Sequence, residues 1–121
     1  MLRVLRGKNL IIVEQRLMLT SACRERIVAA GATVGPPLRS ARDVLDALME
    51  GRVDGAIVDV EIDTETLLSV SIILENADVP FLFASRAKAS FDGYYLGGDI
   101  AELRKIADAL FGPPGTSSTL H

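Results

Sequence analysis

A chain of 121 residues, 49% hydrophobic and 24% charged, carries enough apolar side chain for one core and is neither fibrous nor disordered in composition. A formal net charge of −3 excludes a broad nucleic-acid surface, which needs clustered positive charge. A lone cysteine, Cys23, excludes an internal disulfide, and no apolar run approaches the roughly 20 residues that span a bilayer, so the expectation is a soluble, cytoplasmic domain without membrane or nucleic-acid partners.

Residues 1–8 form a basic lead-in, and Glu14 and Gln15 interrupt the apolar stretch behind it too early for a signal peptide. Asn9–Val13 is a β-branched apolar run and predicts the first strand. Leu19, Cys23, Ile27 and Ala30 recur at helical spacing, predicting a helix over 16–30 that stops at Gly31 and buries the Cys23 thiol. A weak second strand over 32–34 ends at Gly35-Pro36-Pro37. Ser40 and Asp43 have capping-box spacing and open a second helix, which runs to Glu50 with Val44, Leu45 and Leu48 inward and stops at Gly51.

The third strand, 55–60, is apolar on consecutive residues, the pattern of a strand covered on both faces. A third helix follows over Thr64–Asn76 with Leu67, Val70, Ile73 and Leu74 inward. The acids Glu61, Asp63 and Glu65 sit at its start, where a helix favours negative charge. The fourth strand covers 80–84, a short fourth helix 86–90 and a fifth strand 94–96. Asp99 and Glu102 open a last helix with Ile100, Leu103, Ile106, Ala107 and Leu110 on one stripe. The chain then reaches Gly112-Pro113-Pro114-Gly115 and a tail over 113–121 expected to be disordered. Residues 9–112 therefore read as one α/β domain, a parallel sheet with helices on both faces.

In such a sheet ligands gather beyond the carboxyl ends of the strands. That rim receives Glu14 and Gln15 from the first strand, Asp59 and Glu61 from the third, Ser85 from the fourth, and Gly97, Gly98 and Asp99 after the fifth. His121 is terminal and alone, so no Ser-His-Asp set is possible, and no phosphate-binding glycine fingerprint is present. Hydrolase and nucleotide-binding readings rank low.

The segments Val13-Glu14-Gln15, Val58-Asp59-Val60 and Phe81-Leu82-Phe83-Ala84-Ser85, in this order on a repeating β-α pattern, resemble the site motifs of response-regulator receiver domains. The last is similar to the strand-four signature of the receivers known by a Phe-Ala-Thr-Gly motif, which are often stand-alone and are paired with histidine kinases of the HWE type. The resemblance covers about residues 5–111. It implies a doubly wound, flavodoxin-like, five-stranded sheet of order 2-1-3-4-5, and a two-component signalling protein, not an enzyme. It also implies that Asp59 accepts a phosphoryl group, that Ser85 hydrogen-bonds it, and that Mg2+ is held by Glu14, Asp59, the backbone carbonyl of Glu61 and, as a weaker neutral donor, Gln15. The implied partners are a histidine kinase or phosphotransfer protein, and another receiver or a second copy of the chain. Tyr94 stands as a candidate switch aromatic, with a plain core or edge aromatic as the alternative.

Two departures from the receiver pattern matter. Gln15 replaces the second acid after strand one, and the lysine after strand five is absent, its place falling on Leu96, Gly97 or Gly98. Arg86 and Ala87 also replace the glycine and aromatic that follow the strand-four hydroxyl, and Arg86 and Lys88 are the nearby cations. The losses leave two expectations open: a phospho-switch on Asp59, or a receiver-shaped module that docks partners without phosphorylation. The expectation is that no DNA-binding unit follows the last helix and that either would act alone or through a separate chain.

Overall fold

The computed structural model describes residues 3–15, 20–85, 94–96 and 100–112. Three five-residue strands carry the sheet: β1 (Asn9–Val13), β3 (Gly55–Asp59) and β4 (Phe81–Ser85). β1 pairs with β3, and β3 with β4, both in parallel. The two-residue strands β2 (Thr33–Val34) and β5 (Tyr94–Tyr95) lie outside β1 and β4, again parallel, so β3 is central. Leu38 adds one further parallel bridge to Val13. No described helix is long and apolar enough to cross a membrane.

Alternation of side chains across each strand splits the core in two. Leu10, Ile12, Ile57, Leu82 and Ala84 pack with Cys23 and Ile27 of α1 (Ser21–Ala29) and with Leu103, Ile106, Ala107 and Leu110 of α4 (Ile100–Phe111). Ile11, Val13, Ala56, Val58 and Phe81 pack with Val44 of α2 (Ala41–Glu50) and with Val70 and Leu74 of α3 (Thr64–Asn76). The consecutive apolar run of β3 follows directly, because each face of that strand meets its own pair of helices.

Local chemistry sets the helix ends. α1 starts at Ser21, five residues later than its periodicity suggests: extended Thr20 accepts the Cys23 N–H on its Oγ1 and caps the helix there. Leu19 and the rest of 16–19 lie outside the described residues. Gly31, at φ +99° just past the α1 cap, takes the left-handed turn, and a Cβ there would lie 3.2 Å from Arg6 Cα. At α2, Ser40 Oγ accepts the Asp43 N–H, and the Asp43 carboxylate accepts the Arg39 N–H, one residue ahead of the cap. Leu45, expected inward, is exposed instead; the α2 core face is made by Val44 with Ala41, Ala47 and Leu48. Ile100, likewise expected on the inner stripe of the last helix, is the first residue of that helix and is exposed. The short helix expected over 86–90 and the tail over 113–121 lie outside the described residues.

The amino end of the sheet is tied down by polar contacts. Asn9 and Asp54 exchange two hydrogen bonds, Asn9 N–H to Asp54 Oδ2 at 2.7 Å and Asp54 N–H to Asn9 O at 2.8 Å. Arg52 pairs with Asp54 and donates to Gly7 O at 2.9 Å. Leu5, within the basic lead-in, is buried in the α1/α4 core. A Cβ on Gly55 would sit 2.7 Å from Cζ of Phe111, so the ring at the end of α4 rests where the first residue of β3 has no side chain. Lys8 Nζ lies 5.0 Å from the centroid of the same ring.

Candidate functional site

Strand register brings the sequence-selected residues to one rim. Val13 is opposite Val58, so Glu14 follows β1 at the level where Asp59 ends β3. Asp59 is opposite Ala84, and Ser85 is the next residue of β4. The backbone ladder holds these ends in place: Glu14 N–H donates to Leu38 O at 2.9 Å, Val60 N–H to Ala84 O at 3.1 Å, and Leu96 N–H to Ser85 O at 2.9 Å.

Burial sets the three apart. Among the described residues the only buried polar or charged ones are Glu14 (2% exposed), Asp59 (6%) and Ser85 (2%). Carboxyl groups buried at neighbouring strand ends require hydrogen-bond partners or counter-charges.

Asp59 is positioned by the loop that follows it. Glu61 N–H donates to Asp59 Oδ1 at 2.9 Å, and Ile62 N–H to Asp59 O at 3.4 Å, while the Ile62 side chain is buried in the α2/α3 core. The far end of this loop is Asp63, the N-cap of α3, which accepts from Thr66 N–H at 2.9 Å. Gln15 closes the loop from the other side. Its Oε1 accepts Asp63 N–H at 3.1 Å, its Nε2 donates to Asp63 Oδ1 at 2.7 Å, and Nε2 also donates to Arg39 O at 3.2 Å. The Gln15 amide, then Thr66, hold the Asp63 carboxyl below its usual value of 3.8. Both ends of the Gln15 amide are engaged in this clamp. Its position after β1 was legible in the sequence; its pairing with Asp63, 48 residues away, was not.

Mg2+ is satisfied by one or two carboxylates when water and phosphate oxygens complete its shell. Glu14 and Asp59, with the carbonyl of Glu61 nearby in sequence, match that oxygen-only requirement. Among the described residues no group of three His, Cys, Asp or Glu side chains is arranged to hold a metal ion. Leu96, one of the positions where the receiver pattern has lysine, is 1% exposed and belongs to the α1/α4 core. Tyr94 is half-buried and packs against that core. Arg86, Lys88, Gly97, Gly98 and Asp99 lie outside the described residues.

No protein-family model matches the chain, and no curated protein matches it in sequence.

Proposed function

We propose that this chain is a receiver-type signalling domain, a doubly wound flavodoxin-like fold of sheet order 2-1-3-4-5, whose reactive group is Asp59. The observation that carries the reading is that Glu14, Asp59 and Ser85, chosen by their place after three strands, are the buried polar side chains among the described residues. A carboxylate oxygen of Asp59 attacks the phosphorus of a phosphohistidine on a kinase or phosphotransfer protein. The P–O bond forms as the P–N bond breaks, and the imidazole leaves neutral after taking a proton from solvent. The Ser85 hydroxyl donates to a phosphoryl oxygen, and the Glu61 N–H holds the carboxylate that attacks. Mg2+ bound by Glu14 and Asp59 would supply neutralisation of the phosphoryl charge. The chain is then a phosphoryl acceptor and switch in the cytoplasm, not an enzyme.

A second reading has specific support. The Gln15 amide is engaged with Asp63 and Arg39, and Leu96, one of the candidate lysine positions, is apolar and buried. Leu96 is one of three positions, with Gly97 and Gly98, on which the receiver lysine would fall, and none of the three carries charge. Both removals weaken the phosphorylated state; the lysine contact alone is worth about 1.5–3 kcal/mol. A receiver-shaped module that binds a kinase, another receiver or a second copy without modification fits these departures. Incubation with acetyl phosphate and Mg2+, followed by intact-mass measurement, separates the readings. The phospho-switch requires a gain of one phosphoryl group that Asp59→Asn abolishes. An unchanged mass, with Mg2+ leaving the resonances of Glu14 and Asp59 unmoved, leaves the docking module.

A further inference from the structure

Beyond the rim, the outer surface of the α2/α3 layer holds an arrangement the phosphoryl chemistry does not use. Six large aliphatic side chains are exposed among the described residues, and four of them lie on these two helices. Leu45 and Met49 on α2 are 42% and 83% exposed; Leu68 and Ile72 on α3 are 60% and 58% exposed. Each pair is spaced i,i+4, which puts its two members on one helix face. The two helices share one core cluster on the same side of the sheet, so the pairs form apolar ridges on adjoining helices.

The exposed charges on the two helices are mainly acidic. Exposed acids on the two helices are Asp46, Glu50, Glu65 and Glu75. The exposed base is Arg42, already paired with Asp46 at 3.3 Å. A second copy of the chain would set acids against acids, and an anionic lipid surface would be repelled in the same way. A cationic partner gains from the rim what these two lose.

We propose that the α2/α3 face is a docking surface for a basic amphipathic helix of another protein. The helix lays an apolar stripe at i, i+3/i+4, i+7 across Leu45, Met49, Leu68 and Ile72, and flanking Lys or Arg side chains meet Glu50, Glu65 and Glu75. Recognition does not need Asp59, so the surface operates equally in the two readings above.

The test uses the full chain, its Asp59→Asn variant and two synthetic helical peptides with one leucine stripe, flanked by lysines in one and by glutamates in the other. In NMR titrations the lysine peptide should bind both proteins alike and shift the methyl groups of Leu45, Met49, Leu68 and Ile72, with binding weakening as salt rises. The double substitution Leu68→Asp with Ile72→Asp should weaken it at least about tenfold while circular dichroism stays unchanged. Leu45→Asp with Met49→Asp should weaken it comparably, guarding against a purely local effect of the first pair. Equal binding of the glutamate peptide, shifts confined to another face, dimerisation of the free chain through these methyl groups, or no binding at millimolar peptide each overturns the proposal.

Discussion

At the scale of single residues, Gln15 does work that a carboxylate could not. An amide both accepts from the Asp63 N–H and donates to the Asp63 carboxylate, whereas a second carboxylate would only accept and would repel. Gln15→Glu should therefore raise the Asp63 carboxyl from its lowered value, read by carbon NMR of the side-chain carboxyl against pH. An unmoved titration would show that the clamp is not what depresses it. The sign of the stability effect follows. A carboxyl lowered in the folded protein stabilises it fully above the unfolded value, near 3.8, and that stabilisation disappears as pH falls through the lower folded value. Asp63→Asn keeps a capping side chain but removes the charge. Urea midpoints of the two proteins should thus differ most above pH 3.8 and converge only as pH falls below the lowered folded value. Glu14, Asp59 and Ser85 were legible because each follows or ends an apolar run at a strand's carboxyl end. The clamp was not, because a polar residue carries no periodic signal that names a partner on another loop.

At the scale of elements, some caps and faces are legible in the sequence and others are not. Ser40 with Asp43 marks the start of α2, and the span of α3 was plain from its inner stripe of Leu67, Val70, Ile73 and Leu74 with acids ahead of it. Leu45 failed because a helix against a sheet buries a stripe narrower than its count of aliphatic residues, and periodicity alone cannot say which are left over. The Thr20 cap of α1 is hidden in the sequence because Leu19 extends the apolar pattern backward. Beyond α3, Asp78 holds φ +57° without being glycine, a conformation that costs most side chains free energy. Asp78→Gly relieves that conformation but adds unfolded-chain entropy of similar size, so stability should change by less than about 1 kcal/mol, measured by urea denaturation. A larger fall in stability would mean that the Asp78 side chain makes a stabilising contact of its own.

For the whole molecule, the alternation of strands with helices and the unbroken apolar run of β3 make a covered parallel sheet legible in the sequence. Its consequence is a partition: Ile57 faces the α1/α4 core and Leu74 the α2/α3 core. Ile57→Ala and Leu74→Ala should each cost about 2–5 kcal/mol. The double variant should equal their sum within about 0.5 kcal/mol, since the sheet separates the two cavities. A larger coupling energy in a denaturation cycle would mean that the cores relax together through β3. The bare Cα of Gly55, which takes the Phe111 ring, adds an order in time. During synthesis the middle strand leaves the ribosome long before residue 111 does, and that patch of its backbone stays open to water until the last helix arrives to cover it.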